Sequence, residues 1–84
     1  MKFAVVIEKA ENNYSAYVPD LPGCISVGDT LAEVEQMIRE AIEFHLEGML
    51  LDGDSVPLPT TQCCYVDVDL PQVTPGGKAQ EGRT

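Results

Sequence analysis

Apolar and polar residues alternate along the first third of the chain with the two-residue period of a half-buried strand. Over Lys2 to Glu8 the pattern places Phe3, Val5 and Ile7 on one face, and Asn12-Asn13 supply the turn that follows. Tyr14 to Val18 predicts a second strand, with Tyr14, Ala16 and Val18 on one side and Ser15 and Tyr17 on the other. Pro19-Asp20-Leu21-Pro22-Gly23 stops it, because proline has no amide hydrogen for a ladder. Cys24 to Gly28 predicts a short third strand with Ile25 and Val27 inward.

At Asp29-Thr30-Leu31-Ala32-Glu33 the period changes, and Thr30 with Glu33 has the spacing of a capping box at a helix start. At about 100° per residue, Leu31, Val34, Ile38, Ala41, Ile42, His45, Leu46 and Met49 share one helical face. Met37, Phe44 and Leu51 form a second stripe beside it, while Glu33, Glu40, Glu43 and Glu47 take the solvent side. Gly53 ends the helix near Leu51, and Ser55 to Gln62, with Pro57 and Pro59, reads as an extended connector. A last alternation over Cys63 to Leu70, with Cys64, Val66 and Val68 against Cys63, Tyr65, Asp67 and Asp69, predicts a fourth strand.

The order β-β-β-α-β predicts an α+β domain: an antiparallel three-stranded meander plus a fourth strand, with one helix packed on one sheet face. Residues 1–70 form that domain, and residues 71–84, rich in Gly and Pro with Val73 the sole large aliphatic, read as a disordered tail. A chain of 84 residues buries only about 60 to 65% of its unfolded surface, so association with a second copy is expected. The second stripe of Met37, Phe44 and Leu51 is the expected contact of that homo-oligomer, by default a dimer.

Charge narrows the partners. Residues 1–70 carry Lys2, Lys9 and Arg39 against thirteen carboxylates, a balance of −10. A body this negative is expected to repel nucleic acid and to favour a basic protein. The longest apolar run, Phe3 to Ile7, falls far short of a membrane span, and the start does not resemble a secretion signal. Three cysteines, Cys24, Cys63 and Cys64, are too few for a disulfide framework and read as reduced thiols, which points to a cytoplasmic protein.

The run Pro19-Asp20-Leu21-Pro22-Gly23-Cys24, followed by Gly28-Asp29-Thr30-Leu31-Ala32-Glu33, closely resembles the HicB-like antitoxin family in its Pro-Asp-Leu-Pro-Gly-Cys loop and its Gly-Asp-Thr helix start. The likeness extends in pattern over residues 2 to 70. It implies a partial ribonuclease-H-like fold and a non-catalytic protein that binds a small, basic, RNA-cleaving HicA-type toxin and covers its active site. Many relatives continue into a DNA-binding segment; residues 71–84 are too few and too Gly/Pro-rich for one. The alternative from another class is an orphan structural or regulatory homo-oligomer that has lost its toxin. Within the motif, Pro22, Gly23, Gly28, Asp29, Thr30 and Glu33 are expected to serve the backbone and the helix start.

No catalytic, cofactor or metal site is expected. Two-metal hydrolysis on a ribonuclease-H-type fold needs converging carboxylates, yet Phe3 to Ile7 offers none and Asp67 and Asp69 face away from the helix. His45 lies in the core-facing stripe, Cys63 and Cys64 point to opposite faces of one strand, and no spacing joins them with Cys24 as metal ligands. The expected partner-binding surface is instead the outward groups Tyr17, Tyr65, Asp67 and Asp69, aromatic anchors flanked by acid.

Overall fold

The structure, a computed structural model, describes residues 1–72. Three short strands, β1 (Val6–Lys9), β2 (Tyr14–Tyr17) and β3 (Ile25–Gly28), form an antiparallel sheet in the order β1-β2-β3, and a single helix, α1 (Leu31–Leu51), follows. The class is α+β. The helix packs over β2 and β3 and stands clear of β1. The predicted tail lies outside the described residues from position 73 onward.

The helix begins where its capping chemistry dictates. Thr30 keeps an extended backbone, φ −130°, and its Oγ1 accepts a hydrogen bond from the Glu33 amide at 3.1 Å. Glu33 reaches back, its Oε1 accepting from the Asp29 amide at 2.7 Å, and its charge sits at the positive helix end. At the other end Gly53 adopts φ +78°, a left-handed conformation, and the Gly53 and Asp54 amides donate to the Leu50 and Met49 carbonyls. That pair of bonds satisfies carbonyls the helix leaves open.

The core is small. Ala16, Val18, Leu21, Cys24, Val34 and Ile38 are buried, and half-buried Phe3, Val5, Ile7, Tyr14, Ala41, Ile42 and Leu46 pack against them. Leu21 is fully buried although it lies in the loop between β2 and β3. The loop folds inward because Leu21 and Cys24 donate to the Val18 and Leu21 carbonyls, while Gly23 takes φ +85° to let the chain turn back. Gly28 sits against the first turn of α1, so close that a Cβ there would lie 2.8 Å from the Val34 backbone nitrogen. The absence of a side chain at this position sets how near the helix approaches the sheet.

Two expectations about the strands are corrected. Ile25 and Val27 do not point inward: they are 66% and 50% exposed, and the alternation runs through Cys24, Ser26 and Gly28 on the helix side. At Gly28 no side chain fits, because a Cβ there would lie 2.8 Å from the Val34 backbone nitrogen. The fourth strand over Cys63 to Leu70 does not form within the chain; these residues are exposed and belong to no strand. Alternation specifies which face of a strand is apolar, but a ladder also needs a free edge within reach.

The chain nevertheless returns to the sheet after the helix. Both oxygens of half-buried Asp20 are engaged, Oδ2 accepting from the Thr60 and Thr61 amides at 3.0 Å each and Oδ1 from their hydroxyls at 3.2 and 2.8 Å. These bonds, led by that from the Thr61 amide, hold the Asp20 carboxyl below its ordinary value of 3.8. A lowered value means that the folded state binds the proton less readily. The clamp therefore contributes above pH 3.8 and is lost as pH falls through the lower folded-state value.

Two outcomes follow for the fold. Gly28→Ala should destabilise the domain by about 1 to 3 kcal/mol, since the atom it meets is backbone and cannot rotate aside. Thermal unfolding followed by circular dichroism checks this, and an unchanged midpoint would contradict the close approach. On acidification the Thr60 and Thr61 amide resonances should titrate below pH 3.8 in the wild type and not in Asp20→Asn. Identical titration in both proteins would show that Asp20 does not hold the connector.

Candidate functional site

A sheet with one helix has one covered face and one open face. The register places Val6 opposite Tyr17 and Tyr17 opposite Ile25, so the three side chains form a row across the open face. Beside it runs a second row of Glu8, Ser15 and Val27. Tyr17, Ile25 and Val27 are exposed, and Val6 is half-buried. The result is an apolar, aromatic strip with a carboxylate at its margin on a body of charge −10 over residues 1–70. Lys9 lies on the other face, its Nζ 5.9 Å from the centre of the Tyr14 ring.

The expected contact residues are only partly assembled. Tyr17 lies at the centre of the open face, whereas Tyr65, Asp67 and Asp69 stand on the exposed segment beyond the connector. Tyr65 is fully exposed and so does not touch Tyr17. Ile25 and Val27 belong to this face and were missed by periodicity alone; the signal that could have found them is Gly28 just before the capping box, which requires the small positions of β3 to face the helix.

The helix presents a separate surface. Met37, Phe44 and Leu51 are all exposed, and Phe44 at 79% is not covered by the Ser55 to Gln62 connector. Glu33, Glu35, Glu40, Glu43 and Glu47 are exposed as well, with the Gln36 amide donating to Glu40 at 2.8 Å. A groove of about 420 Å³ beside β3 is lined by Cys24, Phe44, His45 and Met49 among others. Burial pushes the Cys24 thiol above its ordinary value, the opposite of what an activated nucleophile requires. Among the described residues no group of three or more His, Cys, Asp or Glu side chains could hold a metal ion. Nor is any helix among them long and apolar enough to cross a membrane.

Pro22, Gly23, Gly28, Asp29, Thr30 and Glu33 thus surround the loop and helix start. Gly23 provides the turn that buries Leu21, Gly28 admits the helix, and Asp29, Thr30 and Glu33 share the cap. Pro22 is exposed in the same loop.

The chain matches the family model described as HicB_like antitoxin of bacterial toxin-antitoxin system over residues 3–72. It is 49% identical over 57 residues to an uncharacterized 14.9 kDa protein of Haemophilus phage HP1, covering 68% of this chain and 43% of that protein. A UPF0150 protein of Archaeoglobus fulgidus is 50% identical over 48 residues, covering 56% of this chain and 70% of its own. Antitoxin HicB 1 of Photorhabdus laumondii is 33% identical over 72 residues, covering 83% of this chain and 46% of its own. The chain thus spans less than half the length of the phage protein and of the named antitoxin. No solved structure matches it. With the family model covering nearly all of the described residues, the chain belongs to the HicB-like antitoxin family.

Proposed function

We propose that this protein is a non-catalytic antitoxin module that binds a small, basic, RNA-cleaving toxin of the HicA type and blocks it by covering its active site. Membership of the HicB-like antitoxin family supports a toxin partner in general. The observation that carries the finer reading is the open sheet face, where Val6, Tyr17 and Ile25 form an apolar row on a strongly acidic body. An aromatic anchor can enter a cleft while surrounding carboxylates meet its lysines and arginines. Tyr17, Tyr65, Asp67 and Asp69 are the proposed contacts. The protein acts in the cytoplasm beside its toxin and excludes nucleic acid, because its carboxylates repel phosphates. The partial ribonuclease-H-like topology, with a fourth strand beside the meander, belongs to this same reading.

A second reading, an orphan homo-oligomer without a toxin, is favoured by the exposed stripe of Met37, Phe44 and Leu51. The two separate cleanly. Under the antitoxin reading, co-expression with an adjacent gene for a small basic protein yields a complex that survives purification and suppresses RNA cleavage. If the neighbour neither co-purifies nor is inhibited, the orphan reading stands.

Charge makes the kinetics specific. Opposite net charges steer association and are screened beyond about 8 Å at physiological ionic strength, so added salt should slow association far more than it speeds dissociation. Reversing both carboxylates, Asp67→Lys with Asp69→Lys, should lower the on-rate by about tenfold or more at low salt. Equal on-rates for variant and wild type in stopped-flow association would remove Asp67 and Asp69 from the contact surface.

A further inference from the structure

We propose that Cys63 and Cys64 form a site for a soft, two-coordinate metal ion, monovalent copper, held between their two thiolates. Of the chain's three cysteines these two are exposed, whereas Cys24 is buried in the core. Both belong to a stretch that is neither strand nor helix. In a regular strand successive side chains point to opposite faces, which would keep the sulfurs apart. Here no ladder fixes the backbone, so a turn at the peptide between Cys63 and Cys64 brings both sulfurs to one side.

The donor set selects the ion. Thiolate sulfur is soft and favours Cu(I), whereas carboxylate and carbonyl oxygens suit magnesium and calcium. A structural zinc site takes four ligands in a tetrahedron. Among the described residues no group of three or more His, Cys, Asp or Glu side chains could hold a metal, so the pair offers two sulfurs and no third ligand. Two thiolates arranged about a line satisfy monovalent copper. A direct disulfide fits less well, because consecutive Cα atoms lie ~3.8 Å apart and a disulfide normally bridges ~4.4 to 6.8 Å. An ion between the sulfurs lets them stand roughly 4 to 5 Å apart, at ~2.3 Å for each metal–sulfur bond. Binding involves no change of oxidation state. Each thiol releases its proton to solvent, each sulfur gives an electron pair to copper, and the bis-thiolate complex carries one negative charge.

The pair is anchored on one side. Asp20 holds Thr60 and Thr61 by their amides and hydroxyls, so Cys63 follows closely on a fixed point of the chain. On the other side Tyr65, Val66, Val68 and Leu70 are exposed, and no packed side chain opposes a turn. An arriving ion therefore meets accessible thiols beside a tethered root. Asp67, Asp69 and the negative body attract it. A turn closed by copper redirects the segment that carries Tyr65, Asp67 and Asp69. Its effect on toxin contact rests on the antitoxin reading; the site itself does not.

The full-length protein tests this without any toxin, titrated in the absence of oxygen into the coloured complex of Cu(I) with bicinchoninate. Loss of colour should show one copper taken per wild-type chain. Cys63→Ser and Cys64→Ser should each abolish the transfer while circular dichroism retains the helix, and Cys24→Ala should keep it. X-ray absorption on the loaded wild type should find two sulfur neighbours around copper. Amide resonance shifts on loading should centre on Gln62 to Val66 and leave Cys24 in place. A single-serine variant that still takes a full equivalent, one copper per two chains, or shifts centred on Cys24 would each overturn the proposal. So would a wild type that, in molar excess, leaves the copper with the indicator. Toxin binding by the metal-free protein bears on the antitoxin reading alone.

Discussion

The fold depends on how closely one helix can approach three short strands. Gly28 and Ala16 face α1, and Val34 and Ile38 pack over this side of the sheet, so near that a Cβ at Gly28 would lie 2.8 Å from the Val34 backbone nitrogen. This fixes the helix over β2 and β3. It also determines which side of β3 must be small, and therefore that Ile25 and Val27 occupy the open face. The capping bonds of Thr30 and Glu33 matter for the same reason: they set where the helix begins, hence which residue meets Gly28.

Placing the helix over β2 and β3 leaves β1 half covered. Phe3, Val5 and Ile7 contribute to the core but remain half-buried, and the groove beside them has Ile38, Ile42 and Leu46 on its helix wall together with the charged Glu35, Arg39 and Glu43. Six buried apolar side chains among the described residues make a thin core for a domain of this length. The loop partly compensates by inserting Leu21 as a plug from the strand ends, which explains why a segment rich in turn formers also holds one of the most buried side chains. Asp20, next to that plug, gathers the returning connector through four hydrogen bonds, so one loop serves the core on one side and the chain route on the other.

Much of this was legible in the sequence because it is local. The helix from Leu31 to Leu51 follows from its period and caps, and the meander from alternating runs separated by Asn12-Asn13 and by the Pro19 to Gly23 turn. Non-local geometry was not legible. Apolar side chains at positions 25 and 27 suggested the wrong buried face, since hydrophobicity alone cannot tell that the helix comes too near for them. The tie from Asp20 to Thr60 and Thr61 spans forty residues and has no periodic signature. For the contact surface, the residue types at Tyr17, Tyr65, Asp67 and Asp69 suggested protein recognition, but their assembly depends on where the last segment lies, which alternation does not specify.

That dependence links the structural incompleteness to the acidic charge. A protein with an apolar open face and an exposed strand-like segment risks indiscriminate edge pairing, which charged residues on the segment oppose. Asp67 and Asp69 alternate with Val66 and Val68, so the strand has a face suited to burial and a face that repels other acidic surfaces. Two bodies of this charge must overcome mutual repulsion to associate. A basic partner meets no such repulsion and approaches under attraction. The same carboxylates therefore penalise loose association between copies while favouring a cationic protein, and the open row of Val6, Tyr17 and Ile25 supplies the short-range contacts through which such a partner could dock.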